Sequence, residues 1–306
     1  MLHVTNGESV SIPSSGLPGR VVYWNDALAE GPVPRGLGLQ DLSRVRERFL
    51  AEFFGLPPAE VSFAERDEAI ARFADHQEVV LWFEHDLFDQ LQLMQILDWF
   101  SHRILGQTRL SLISGDAYLG PMQPGQLAPL FETRHEVNAM ELKTARVAWA
   151  AFCSPHPTEL TALLDADTSA LPFLRGALLR HLQQFPALRN GLARTERQIL
   201  QLVESGLHSF RELFLADQKL EESIFMGDTT FRQYLQGLSR GKRPLLRPVN
   251  GGFEITSFGR QVLDGSEDHV RANGINRWLG GVHLCAGAPL WRWDEASRAI
   301  RPLGVS

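Results

Sequence analysis

The chain has 306 residues, 44% hydrophobic and 22% charged, with 30 Lys and Arg against 36 Asp and Glu and a formal net charge of −6. That composition excludes a mainly disordered or fibrous chain, and the acid excess excludes a protein that coats polyanions with its whole surface. Two cysteines, Cys153 and Cys285, exclude a disulfide scaffold and a multi-cysteine zinc site. Each is read as a buried, inert thiol.

The opening Met-Leu-His-Val-Thr-Asn-Gly has neither a basic n-region nor an apolar h-region, so no secretory signal is expected. No window approaches the roughly 20 apolar residues of a membrane span. The expectation is a cytoplasmic protein with no membrane partner.

Four short strands are predicted early, over 2–5, 20–24, 78–83 and 109–113. Three carry Val, Leu or Ile on consecutive positions, as strands buried on both faces do. Helices are predicted over 39–54 and 58–73, between the second and third strands. Another is predicted over 87–105, where Leu87, Leu91, Met94, Leu97 and Phe100 recur at helical spacing and Phe88, Trp99 and Ile104 widen the face. Strands alternating with helices predict an open, mostly parallel α/β sheet, Rossmann-like, over 1–137.

From 138 the pattern turns helical, over 138–152, 157–166 and 172–185, punctuated by prolines near starts and ends. Residues 138–188 read as a helical connector. Over 189–265, helices at 192–206, 209–221 and 228–240 precede strands at 245–249 and 253–256, which flank the hairpin signal Asn250-Gly251-Gly252. Three helices followed by a β-hairpin is the order of a winged helix. Residues 266–306 add two β runs, 278–284 and 290–293. Their tryptophans, Trp278, Trp291 and Trp293, read most simply as one packed hairpin, and more sharply as a platform that stacks a planar ligand, with His283 beside it.

The ends of the four early strands are unusually polar. The first ends in Asn6-Gly7-Glu8-Ser9; the second runs into Asp26 and Glu30; the third ends in Glu84-His85-Asp86 with Asp89 and Gln90 just beyond; the fourth leads into Asp116. In a parallel sheet these ends share one edge, where open α/β folds bind ligands. Taken singly, such residues cap helices and turn chains: Asp86 is a natural N-cap, with Asp89 where a helix dipole favours an acid. Together they predict a site for a small polar or phosphorylated ligand. Glu84, His85, Asp86 and Asp89 are possible metal ligands, although their spacing matches no established motif, so no metal or cofactor is assigned. His85 is the candidate general acid/base, because imidazoles exchange protons near neutral pH. A P-loop, a dinucleotide fingerprint and a Gly-x-Ser-x-Gly elbow are all missing.

Residues 189–263 carry eleven bases against eight acids. Arg240, Lys242, Arg243 and Arg247 cluster where the third helix of this unit passes into the hairpin, and would contact phosphates. Arg232 and Gln233 are candidates for base edges. An excess of three positive charges is small for a nucleic-acid binder, so the partner is duplex DNA or a protein.

Leu-His-Val-Thr-Asn-Gly-Glu at 2–8, Trp24–Val33, the Leu-Trp-Phe-Glu-His-Asp-Leu-Phe-Asp-Gln-Leu stretch at 81–91, and 277–284 with Trp-Arg-Trp-Asp at 291–294 together resemble a bacterial family catalogued as domain of unknown function 1835. The resemblance covers nearly the whole chain. That family reads Asn-Gly-Asp where this chain has Asn6-Gly7-Glu8, one methylene longer. The resemblance implies the same architecture and the same polar edge, and carries no activity with it.

Three functions are compatible with these features. The first is a regulator with a ligand at the α/β edge and DNA or a protein on the winged helix. The second is a hydrolase or group-transfer enzyme on a phosphorylated or nucleotide-like substrate, with His85 as acid/base and Glu84 and Asp86 beside it. The third is an assembly module without a ligand.

Overall fold

The computed structural model describes residues 1–303. Over these residues the fold is mixed α/β with twelve α-helices and a mostly parallel central sheet. That sheet contains β1 (Leu2–Thr5), β2 (Arg20–Tyr23), β4 (Glu78–Phe83), β5 (Arg109–Ser114) and a short antiparallel edge strand β6 (His135–Glu136), in the order β2-β1-β4-β5-β6. The strand β3 (Gly31–Pro32) belongs to a second, smaller sheet.

β4 is buried along its whole length. Its Val79, Leu81 and Phe83 enter one core, and Val80 and Trp82 enter another. This is the two-sided burial expected of a parallel strand flanked by helices. The first face is covered by α1 (Leu39–Phe54), α2 (Ala64–Ala71) and α3 (Leu87–Ser101), and the second by the 6–19 connection and α4 (Pro124–Phe131). The predicted 58–73 helix is instead a turn of 3-10 helix at Pro58–Glu60 followed by α2. Buried Phe63 interrupts it, its amide held by the Glu47 carboxylate. The predicted 87–105 helix stops at Ser101. Ile104, counted in its apolar face, is 94% exposed, so it contributes nothing to that face.

The connector forms α5 (Ala139–Phe152), α6 (Thr158–Ala162) and α7 (Leu174–Leu182). α5 and α7 pack on α3 and extend the first core. A separate core lies inside α8 (Arg194–Glu204), α9 (Phe210–Gln218), α10 (Asp228–Leu238), the antiparallel pair β7 (Leu246–Val249) and β8 (Gly252–Ile255), and α11 (Ser257–Asp264).

After a short α12 (His269–Asn273) come β9 (Arg277–Gly280), β10 (Val282–Leu284), β11 (Leu290–Asp294) and β12 (Ala299–Leu303). The tryptophans do not form one hairpin. β9 pairs with β10 and, in parallel, with β3, whereas β11 pairs with β12. The cause lies in the tight β9–β10 turn, which leaves no room for side chains. A Cβ on Gly281 would stand 2.0 Å from the Cys153 carbonyl oxygen, and Gly280 has φ +60°. The chain therefore reverses there and spends β9 on β3. Cys153 is buried as expected, its thiol pushed up by burial, but Cys285 is only half-buried.

Candidate functional site

β1 connects to β2 on one side, and β4 and β5 continue on the other, so the strand order reverses between β1 and β4. A crevice opens beyond the carboxyl ends of strands at such a point. Asn6 leaves β1 there, and the 84–90 segment leaves β4. Asn6 Nδ2 donates to Asp89 Oδ2 at 2.8 Å, and the Glu84 amide donates to Asp89 Oδ1 at 2.7 Å. Asp86 is the N-cap of α3, its Oδ1 accepting from the amides of Phe88 and Asp89. Gln90 Nε2 donates to the Glu84 carbonyl at 2.6 Å. Glu84 Oε1 accepts from the Leu119 amide, in the loop after β5, at 2.7 Å. Thus Asn6, Glu84, Asp86, Asp89 and Gln90 converge, all buried.

One oxygen from each of Glu84, Asp86 and Asp89 lies within 4.8 Å of the others. Burial is the main cause that raises all three carboxyls above their ordinary range, and mutual repulsion adds to it for Asp86 and Asp89. Asp86 is pushed up to about 7 against the pull of the amides it caps, and Asp89 is raised well above the usual carboxylate value. Three such groups cannot all ionise without positive charge or donated protons from outside. The buried carboxylate cluster is therefore chemically suited to a cation or a hydrogen-bond donor, and hostile to a bare phosphate. This narrows the ligand class read from the sequence.

Two segments lie beside this cluster. Tyr118, after β5, packs at a tilt against the His85 ring (centroids 4.8 Å apart, planes 52° apart), and its hydroxyl is pushed up to about 12 by burial and by the nearby carboxylates. The α9–α10 loop reaches across from the C-terminal helical unit. Its Ile224 amide donates to Tyr118 Oη at 2.5 Å, and Glu221 accepts two bonds from Arg180 of α7, at 2.6 and 2.7 Å. His85 itself is half-buried and lines a cavity of about 300 Å³ with Arg180, Arg194 and Glu221. Its Nδ1 has no partner among the described residues, and neither Glu84 nor Asp86 bonds it there. The carboxylates read as its orienting groups thus face a different space.

The remaining candidates lie elsewhere. Glu8 and Ser9 are exposed and Gly7 half-buried on the 6–19 connection; a Cβ on Gly120 would lie 3.4 Å from Ser9. Asp116 is exposed. Asp26 is fully buried and bonded through Oδ1 to Arg46 at 2.8 and 3.0 Å, which anchors α1 to the sheet. Glu30 accepts from Tyr234 of α10 and leaves the crevice altogether.

Of the basic set, Arg243 pairs with Glu267 and Arg247 with Glu254, at 3.2 and 2.6 Å. Arg240 is exposed and bonds Gln236, and Lys242 is exposed. Arg232 stands 3.9 Å over the Phe210 ring. Gln233 does not point freely to solvent: α10 packs on α1, and Gln233 lines a large cavity between them.

Sequence reasoning passed over Arg180, Arg194 and Glu221, which build the His85 cavity from segments about 90 or more positions away. No local motif marks them: Arg180 shares α7 with Arg175 and His181, Arg194 opens the polar first turn of α8, and Glu221 lies beyond the end of α9. No known family model matches this chain, and no curated protein does. Among the described residues no helix is long and apolar enough to cross a membrane.

Proposed function

We propose that this protein is a ligand-responsive regulator. A Rossmann-like part takes a small polar ligand in the crevice between β1 and β4, and the α8–α11 unit acts as a winged helix toward DNA or a protein. The ligand brings positive charge or hydrogen-bond donors to Glu84, Asp86 and Asp89; a phosphorylated ligand enters only with a cation. The family resemblance belongs to this reading, since it marks the same polar edge.

The observation that carries the proposal is the α9–α10 loop, whose Ile224 amide is held by Tyr118 beside the carboxylates and whose Glu221 is held by Arg180 of the adjoining His85 cavity. The crevice residues are buried, so ligand entry requires that loop to move, and the loop leads directly into α10. A ligand with different affinity for the open and closed loop therefore biases α10.

The test is a thermal-shift series with magnesium, manganese, calcium and spermidine at pH 8, comparing the natural chain with a Glu84→Gln/Asp86→Asn variant. At least one cation raises the Tm of the natural chain and leaves the variant unmoved. Equal responses, or none, remove the crevice as the ligand site. Asn at 86 retains the cap acceptor, so the variant tests charge rather than helix capping.

One observation favours a second reading, an enzyme acting on a phosphorylated substrate: His85, whose buried Nδ1 has no partner among the described residues, lines the same cavity as Arg180 and Arg194. A phosphoester screen with divalent ions separates the two. Turnover that His85→Ala abolishes, with the fold intact, would replace the regulator by the enzyme.

A further inference from the structure

A cavity of about 780 Å³, separate from the crevice, lies between α1, α10 and the β9–β10 hairpin. Pockets of this size hold small organic ligands. Its walls are aromatic. Trp278 and His283 face each other across β9–β10 and stack with centroids 4.3 Å apart and planes 3° from parallel. Asn276 holds the His283 ring through Nε2 at 2.8 Å. From α1, Phe49 and Phe53 stack at 5.2 Å. The Phe49 ring lies on the backbone of Gly31, where a Cβ would stand 2.2 Å from it; φ there is +79°, so glycine is required twice over.

The floor is polar. Glu30, 4% exposed, accepts a hydrogen bond from the Tyr234 hydroxyl through Oε1, while among the described residues Oε2 has only Arg277 Nη2 at 3.5 Å. Arg277 also donates to Tyr234 Oη. A buried acceptor with spare lone pairs therefore stands beside a guanidinium with spare donors, beneath stacked rings. Donor and acceptor side by side on one flat edge is the pattern a purine base presents. Charged residues around the cavity are Glu30, Glu52 and Glu196 against Arg48 and Arg277, one negative charge in excess, which opposes an attached phosphate.

We infer that this cavity binds a purine base or nucleoside without phosphate, stacked on the aromatic walls and read by Glu30 and Arg277. The inference stands whether or not the crevice takes a ligand. Because Tyr234 and Gln233 of α10 line the cavity, an occupant would also hold α10 against α1.

The test is calorimetric titration of the full chain with guanosine, adenosine and GTP. One nucleoside binds in the micromolar range. Trp278→Ala weakens it by about tenfold or more, as loss of one stacking ring does, with circular dichroism and Tm unchanged. If that variant fails to fold, Phe53→Ala gives the same comparison from the helix wall. GTP binds about tenfold or more weakly than guanosine at low ionic strength. No nucleoside binding at millimolar concentration, binding indifferent to both variants, or GTP binding more tightly than guanosine would overturn the inference.

Discussion

Glu78 and Asp217 are both buried carboxyl groups, and their neighbours push them in opposite directions. Burial alone would raise Glu78, but Arg109, Ser111 and Arg134 all donate to it and hold it at about 2. Asp217, on α9, has a buried Oδ1 without a partner among the described residues; burial and the nearby Glu221 push it up to about 7 against the pull of Arg180 and Arg194. The consequences for stability have opposite sign. The Glu78 contribution is present above its ordinary value of 4.5 and is lost as pH falls toward 2. Folded Asp217 keeps a proton that the unfolded chain releases, so its environment costs stability as pH rises from about 4 to 7, on the order of 4 kcal/mol in all. Asp217→Asn is expected to raise Tm at pH 8 and to change it little at pH 4. An equal shift at both pH values would show that its charge is irrelevant. Glu78 was legible only as a strand residue, because its three partners lie 31, 33 and 56 positions away.

The early strands and α1, α3 and α5 were legible because short apolar runs and the 3.6-residue period report burial directly. The loop between α9 and α10 was not, since its anchors are a hydroxyl on Tyr118 and a guanidinium on Arg180. Tyr118→Phe removes the acceptor of the Ile224 amide while keeping the ring on His85. Faster hydrogen exchange at Ile224 and its neighbours, with Tm changed by little, is the expected result. Unchanged exchange would mean that the other loop contacts suffice to hold it. The β9–β10 turn offers a harsher test. Gly281→Ala places a Cβ against the Cys153 carbonyl and must displace the hairpin from α5, with a loss of roughly 1–3 kcal/mol, as overpacking does. Urea denaturation measures it; a loss under about half a kcal/mol would mean that the hairpin tilts freely.

Besides the small core under the second face of the sheet, two larger apolar cores organise the molecule. One runs from the sheet through the connector into the C-terminal strands, and the other fills the α8–α11 unit. They meet where α10 lies on α1, and Tyr234 is bonded to Glu30 and Gln184. This contact limits the nucleic-acid reading, because it removes Gln233 from open solvent, and the ion pairs of Arg243 and Arg247 reduce the free positive charge. Arg232, Arg240 and Lys242 remain at the surface. If the unit reads DNA, labelled random duplex should bind in a salt-dependent way. Arg240→Ala/Lys242→Ala/Arg243→Ala should then lower the salt slope by about 2. Fluorescence anisotropy across a salt series measures this; binding unaffected by the variant would remove this surface as the DNA contact.

The amino-acid sequence by itself determined the early parallel strands, the order of the long helices, the β7–β8 hairpin, and the polar ends of β1 and β4. These depend on period, turn chemistry and capping, all of which act over a few residues. Tertiary structure alone decided that Asn6 meets Asp89, that Glu30 turns away to Tyr234, and that β9 joins β3 rather than β11. It also decided which charges stay free, for Arg243 and Arg247 look identical to Arg240 until their acids are brought alongside. Such pairings are settled by chain crossings and by which buried charge finds a partner, and no local pattern in the chain encodes either.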